Sequence, residues 1–222
     1  MPAPVYSNLE KLEETCKSFI GKEITLAAVF NGKMIPITNT NLVGDLLEDV
    51  FLPSYTEACP DIKEGPLQAS PDFYAADGFH LEQKSFAGKP GFDIANYASL
   101  LDQLSEKGGL TQKLFKTKYL VYSYTIVGSA IKITNFWMLN IWDLPNYTGI
   151  YPIGVQNKRG MWYNIRPGSA SSWTDETKTP RLFIAKLLES IDLCPQLDAA
   201  KKAAAKASIT EQMAEAETQG FL

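Results

Sequence analysis

Two acidic residues and a lysine, close together in a strand-rich segment, are the residues of this chain best suited to chemistry. In SPDFYAADGFHLEQKSF, residues 70 to 86, Glu82 and Lys84 share one face of a predicted strand, because alternate residues of a strand point the same way. Asp72 precedes the turn Asp77-Gly78, on the neighbouring strand of a predicted hairpin, from which it can reach Glu82. A surface ion pair is one interpretation, and a metal site is the other.

The metal interpretation follows from the chemistry of these groups. Two neighbouring carboxylates repel each other, and a divalent cation relieves that repulsion by taking an oxygen from each. Oxygen ligands favour Mg²⁺ over Zn²⁺, and such an ion polarises a phosphodiester and lowers the pKa of a bound water. The ammonium group of Lys84 can orient that water and stabilise the developing charge. The pattern therefore suits phosphodiester hydrolysis, although Glu-x-Lys on a strand is common.

A further acid, Glu48, lies on a helix predicted before this hairpin. The buried stripe of that helix is predicted from apolar residues at helical spacing, namely Val43, Leu46, Leu47, Val50 and Phe51. Pro53 is expected to end the helix. Glu48 is off the stripe, so its carboxylate either lies on a solvated helix face or reaches the metal site.

The remaining patterns predict an α/β fold of the α+β type, with a central mixed sheet flanked by helices, an additional hairpin and C-terminal helices. The hairpin signals are Asn31-Gly32 and the turn from Asn157 to Gly160. The segments KYLVYSYTIV and IKITNFWMLNIW predict core strands of one sheet. The Ala-rich segment near the C-terminus, about 196–218, predicts an exposed or oligomer-contacting helix.

Composition narrows the classes of function. The 222 residues are 45% hydrophobic and 21% charged, which suits one globular domain spanning 1–222. The single histidine, His80, excludes a multi-histidine metal cage. Three widely spaced cysteines predict reduced structural thiols. No apolar run approaches the length of a membrane span, and no leader pattern is visible, so we expect a cytoplasmic protein without membrane contact.

The order of these features resembles the PD-(D/E)xK nuclease superfamily, and within it the type II restriction endonucleases and the related mismatch-repair nicking endonuclease. The resemblance runs from about Asn39 to Pro167: VGDLLE, then PDF and GFHLEQKS, then YLVYSYTI, IKITNFWMLNIWDL and YPIGVQNKRGMWYNIRP. It implies a restriction-endonuclease-like core over about 39–145. It also implies a DNA-contacting hairpin and helix over about 146–195.

The resemblance also implies roles for individual residues. Asp72 and Glu82 would bind Mg²⁺ together with the backbone carbonyl of Gln83, Lys84 would position the attacking water, and Glu48 would be an accessory acid. The spacing of ten residues between Asp72 and Glu82 departs from the family's usual pattern. This departure is tolerable because the length of a hairpin can vary. His80 has no role in the family and is interpreted as a polar residue at the rim of the site, with a proton shuttle as the alternative.

Candidate DNA contacts come from the distribution of cations. All three arginines lie between Arg159 and Arg181, although the net charge is −4, and arginine suits bidentate contact with phosphate or guanine. Chance and solvated surface positions are the alternatives for these residues. The predicted DNA-binding residues are Lys89, Gln156, Asn157, Lys158, Arg159, Arg166, Lys178 and Arg181, of which Lys158 and Arg159 at a hairpin tip are the strongest.

The sequence therefore predicts a Mg²⁺-dependent, sequence-specific endonuclease of a type II restriction-modification system, acting on double-stranded DNA. By analogy, we expect a homodimer on a short palindromic site, paired functionally with a DNA methyltransferase. A repair nickase or structure-specific nuclease of the same fold is one alternative. The other is a non-catalytic DNA-binding or structural protein.

Overall fold

A computed structural model describes residues 5–37, 39–66, 69–128 and 130–222. The helices are α1 (Leu9–Lys17), α2 (Thr40–Ala58), α3 (Tyr97–Ser105), α4 (Gly109–Phe115), α5 (Pro180–Leu193) and α6 (Ala199–Thr218). The strands are β1 (Glu23–Ile24), β2 (Ala27–Phe30), β3 (Lys33–Pro36), β4 (Lys63–Glu64), β5 (Phe73–Tyr74), β6 (His80–Ala87), β7 (Ala95–Asn96), β8 (Thr117–Val127), β9 (Ala130–Leu139), β10 (Val155–Lys158) and β11 (Met161–Ile165).

One compact unit, Val5–Pro90 with Lys118–Leu139, contains the predicted central sheet. In the described residues this mixed sheet has the order β1-β9-β8-β6-β5-β4. The long strands β8 and β9 pair antiparallel, and their apolar side chains form much of the core. Helix α1 packs against β9 and α2 packs against β6. The strand that carries Glu82 and Lys84 is thus central and is covered by the helix that carries Glu48.

The other compact unit contains Gly91–Thr117 and Asn140–Leu222. Its three-stranded sheet has the order β10-β11-β7, and α3 packs against β11. The Ala-rich helix α6 packs on α3, α4 and α5 and buries Ile209, Gln212 and Ala216, so only part of its surface is exposed. These unit boundaries follow spatial contacts, because β8 and β9 complete a sheet begun far earlier in the chain.

Helix α2 continues through Pro53, so the prediction that it ends there is wrong. A proline inside a helix removes one main-chain hydrogen bond, which normally favours a break. Here the turn beyond the proline contains Tyr55, which is fully buried and whose hydroxyl donates to Gln83 Oε1 over 2.7 Å. Burial of this aromatic ring and its hydrogen bond in the core outweigh the local cost. Val50, predicted to be buried on the same helix, is 41% exposed.

Two tryptophans and the three cysteines lie in the interior of the protein. Trp162 and Trp173 are buried within the chain itself. The three cysteines are buried and form no disulfide. Across the described ranges, no helix has the length and apolar character needed to cross a membrane.

Candidate active site

The hairpin formed by β5 and β6 positions the predicted catalytic residues. Its strands pair antiparallel with Phe73 opposite Leu81 and Tyr74 opposite His80. Between them the chain turns at Asp77 and Gly78, whose φ angles of 59° and 72° lie in the left-handed region. Glycine adopts this region freely and aspartate tolerates it, which explains why this dipeptide makes the turn.

Strand β6 is covered on both faces, with different chemistry on each. Leu81 and Gln83 point into the core and are buried. Glu82 and Lys84 point into a cleft, where Lys84 Nζ lies 3.3 Å from Asp72 Oδ2 and 3.6 Å from Glu82 Oε2. The two carboxylates therefore meet at one ammonium group, as the strand alternation predicts. A fully solvated surface pair is not what the structure shows, because Glu82 is only 5% exposed.

The cleft has a volume of about 560 Å³ and an unusually acidic lining. Its carboxylates come from α2, from the segment around β4 and β5, and from β6. They are Asp45, Glu48, Asp49, Glu64, Asp72 and Glu82. The structure thus brings Glu48 to the same cleft as Asp72, Glu82 and Lys84. No sequence pattern marks Asp45, Asp49 or Glu64 as site residues, because nothing in their spacing indicates that they face the hairpin.

Burial raises the pKa values of Glu48 and Asp72 in the cleft, and neighbouring carboxylates add to the rise. Burial, followed by repulsion from Asp72, raises the pKa of Glu48 to about 8, against the opposing effect of Lys84. Burial also raises the pKa of Asp72, and Lys84 opposes that shift. For Lys84, burial disfavours the ammonium form, but the attraction of Asp72, Glu82 and Glu48 outweighs burial and raises its pKa. The cleft therefore holds more negative charge than its single lysine neutralises.

This crowding is what a divalent cation such as Mg²⁺ would relieve, although the described residues hold no group of three or more His, Cys, Asp or Glu side chains placed as its ligands. The carboxylates of Asp72 and Glu82 supply the hard oxygen ligands that this ion prefers. The main chain of Gln83 lies beside them, since its N–H donates to Asp72 Oδ2 over 2.6 Å. The side chain of Gln83 is anchored in the core by Tyr55, whose hydroxyl also lies 2.8 Å from the hydroxyl of Tyr122. A buried polar network thus holds the centre of the Glu-x-Lys segment.

The raised pKa of Glu48 predicts a pH-dependent stability. In the unfolded chain this group titrates near 4.5, and in the folded protein near 8, so its contribution is complete below the lower value. That contribution is lost as pH rises through about 8. Without metal, the unfolding temperature should fall as pH rises from about 5 to about 8, and Glu48→Gln should flatten this fall.

Calorimetry in EDTA at several pH values measures this effect. Glu57→Gln, an exposed position on the same helix outside the cleft, is the control and should keep the wild-type slope. Identical slopes for Glu48→Gln and wild type would contradict the prediction. Added Mg²⁺ should reduce the fall, because a bound cation stabilises the ionised carboxylates.

Gly65, a glycine without a role in the sequence-based prediction, allows two backbone segments of the cleft to lie close together. The N–H of Gly65 donates to the carbonyl of Asp72 over 2.7 Å. A Cβ atom at position 65 would lie 1.8 Å from the carbonyl oxygen of Pro71, a distance no side chain can occupy. Only glycine therefore allows the segment before β5 to approach this closely. A long-range contact of this kind leaves no local signal in the sequence.

The predicted DNA-binding residues occupy different environments. Lys158 and Arg159 are exposed at the tip of the β10–β11 hairpin, where Arg159 has a φ of 52°. Asn157 supports the turn, since its Oδ1 accepts from the N–H of Gly160 over 3.1 Å. Gln156 is half-buried and accepts a hydrogen bond from Asn164. These positions agree with an exposed, basic hairpin tip.

The other predicted cations differ in their exposure and partners. Lys89 is exposed in a loop. Arg166 forms an ion pair with Asp93 over 3.0 Å, and Arg181 forms one with Glu217 over 2.5 Å. Lys178 is only 9% exposed. Its ammonium group donates to the carbonyls of residues 143 and 145 and to the hydroxyl of residue 172, which gives it a structural position unlike the exposed one expected of a DNA contact.

His80 lies at the start of β6, half-buried, with its ring edge-on to Tyr74 at 5.3 Å between centroids. It does not belong to the residues that line the cleft. This position agrees with a polar residue near the rim of the site.

Sequence similarity and structural similarity both relate this chain to restriction endonucleases. Residues 4–215 match the model of the NgoBV restriction endonuclease family. A segment of 91 residues, 40% of this chain, is 29% identical to the type II restriction enzyme NlaIV of Neisseria lactamica and spans 36% of that enzyme's length. The solved NlaIV restriction endonuclease superposes with a TM-score of 0.74 at 18% identity, covering 98% of this chain and 92% of the other. The predicted fold, a mixed sheet flanked by helices in a restriction-endonuclease arrangement, is thereby confirmed.

Proposed function

Because this chain belongs to the NgoBV restriction endonuclease family, we propose that it is a type II site-specific deoxyribonuclease that hydrolyses both strands of double-stranded DNA. The observation that carries this proposal is the convergence of Asp72, Glu82 and Lys84 in one acidic cleft. The same residues support assignment to the PD-(D/E)xK superfamily. The family match supports the predicted resemblance to type II restriction enzymes directly.

The chain's own residues have separable roles in this proposal. Asp72 and Glu82 would hold Mg²⁺, with the main chain of Gln83 beside them. When bound, the ion would polarise the scissile phosphate and lower the pKa of a bound water. The ammonium group of Lys84, kept charged by its acidic neighbours, would orient the attacking water and offset the charge that develops on the phosphate. Glu48 would add a further carboxylate at the edge of this site.

Incubation of the purified protein with sequenced plasmid DNA and Mg²⁺, followed by mapping of the ends, tests the proposal. A discrete set of linear fragments is the expected result, and EDTA should abolish it. Nicked circles alone would instead favour a repair nickase of the same fold. Intact plasmid over a range of Mg²⁺ concentrations would contradict the proposed activity.

We propose that the exposed tip of the β10–β11 hairpin contacts DNA through Lys158 and Arg159. Each cation that neutralises a phosphate releases a counterion, so each loss should reduce the slope of log affinity against log salt by about 1. Arg159→Asn is the suitable change there, because asparagine tolerates the left-handed φ of 52°. Lys158→Ala with Arg159→Asn should lower the slope by about 2 and weaken binding.

Binding to a specific duplex in Ca²⁺, measured across a salt series, provides the readout. Lys186→Ala removes a half-buried cation that pairs with Glu189 on α5 and should leave the slope unchanged. An unchanged slope in the double variant would show that the hairpin tip does not contact the DNA phosphates.

We also propose two partners for the protein, a second copy of the chain and a DNA methyltransferase. A symmetric homodimer would match a short palindromic site, since two-fold symmetry in the protein then mirrors that of the DNA. Sedimentation velocity with and without the duplex measures this. A DNA methyltransferase of the same specificity would protect host sites, so methylated target DNA should resist cleavage.

A further inference from the structure

The carboxylate of Glu82 has a different partner at each oxygen. Its Oε2 faces Lys84 across 3.6 Å, and its Oε1 accepts a hydrogen bond from the hydroxyl of Ser70. Because the terminal torsion of a glutamate is broad, a free carboxylate of this kind would sample several orientations. A separate hydrogen bond on one oxygen restricts this rotation and directs the other oxygen toward Lys84.

The hydroxyl of Ser70 is a neutral donor, which matters in a site that takes up a cation. Glu82 is almost fully buried, and a buried carboxylate is stable only when its oxygens have donors. A second lysine in this place would satisfy Oε1 but would repel a divalent ion. A serine hydroxyl satisfies Oε1 without adding positive charge, and it still does so when Oε2 binds metal.

The backbone that carries Ser70 is held in place. Ser70 is two residues before Asp72, and this segment packs on Gly65 so closely that a Cβ atom at position 65 would overlap the carbonyl oxygen of Pro71. The hydrogen bond from Gly65 to the carbonyl of Asp72 fixes the same segment. One short stretch of chain therefore supplies one acid of the site and a hydrogen bond to the other.

We infer that Ser70 is a positioning residue that orients Glu82 for metal binding before the ion arrives. This inference rests on the proposed function and deepens it, because it assigns a role to a residue outside the acids and the lysine. Partners that orient metal ligands commonly change metal affinity by about 10-fold to 100-fold when they are removed.

Binding of Mn²⁺ to the protein, followed by the electron paramagnetic resonance of the free ion, tests the inference without relying on activity. Ser70→Ala should raise the dissociation constant for Mn²⁺ by about 10-fold or more. Ser70→Thr, which keeps the hydroxyl, should restore most of the affinity. Ser171→Ala, an exposed serine in the other compact unit, should bind Mn²⁺ as wild type does.

Cleavage kinetics supply a second readout. The Mg²⁺ concentration for half-maximal cleavage should rise in Ser70→Ala, while the rate at saturating Mg²⁺ stays close to that of wild type. If wild type binds Mn²⁺ and cleaves DNA, and Ser70→Ala binds Mn²⁺ equally well, only the positioning role is overturned. If wild type neither binds Mn²⁺ nor cleaves, the proposed function fails and the role of Ser70 fails with it.

Discussion

Replacement of Lys84 by alanine should abolish DNA cleavage while DNA binding persists. The ammonium group of Lys84 is the cation that contacts both Asp72 and Glu82, at 3.3 and 3.6 Å. In the proposed reaction it orients water and offsets charge that appears only in the transition state, so its loss lowers the rate more than the affinity. We expect cleavage to fall by roughly 10³-fold, as when a donor to a developing oxyanion is removed.

Lys84→Met is the more stringent form of the test. Methionine keeps most of the aliphatic stem, so this change removes the charge with little loss of packing. Plasmid cleavage in Mg²⁺ and duplex binding in Ca²⁺ should be measured on the same preparations. Lys132→Ala, which removes an exposed lysine on β9 of the same sheet, should behave as wild type. Cleavage by Lys84→Met at a near wild-type rate would show that the ammonium group of Lys84 takes no part in the reaction.

Gly65→Ala should reduce DNA cleavage almost as much as the loss of Lys84, although Gly65 has no side chain that could take part in the reaction. The new methyl group would have to occupy a point 1.8 Å from the carbonyl oxygen of Pro71 and 2.8 Å from that of Asp72. Both neighbours are backbone atoms, so the clash cannot be relieved by a side-chain rotation, and the Ser70–Asp72 segment must move. A misplacement of about 1 Å in a catalytic group costs about 10²-fold in rate.

The matched control is Gly149→Ala, because the nearest atom to a Cβ there is a side-chain nitrogen of Asn146 at 3.5 Å, an ordinary contact. Gly65→Ala should lose cleavage and Mn²⁺ affinity together, since the shift displaces both Asp72 and Ser70. A variant with wild-type cleavage would show that the segment before β5 can move without disturbing the site. Circular dichroism distinguishes this local displacement from global unfolding.

The elements that obey local rules were predictable. The hairpin signal at Asn31-Gly32 yields β2 and β3, which pair antiparallel around that turn. Thr179 and Pro180 begin α5, where the threonine hydroxyl accepts from the N–H of Leu182 over 3.1 Å. At the other end of the chain, the N-cap of α1 is Asn8, which forms no side-chain capping bond and whose amide donates to Asp61. A distant partner there replaces the local one.

By itself, the sequence determined which residues share a strand face. Strand alternation and the Asp77-Gly78 turn are local properties, so Asp72, Glu82 and Lys84 could be grouped without any structure. The tertiary structure alone decided what surrounds them. In the folded protein, α2 continues past Pro53, Glu48 lines the cleft and Lys178 is buried. Gly65 and Ser70 lie beside the two acids Asp72 and Glu82. These outcomes depend on packing between segments far apart in the chain, where burial and long-range hydrogen bonds outweigh the preferences of any single segment.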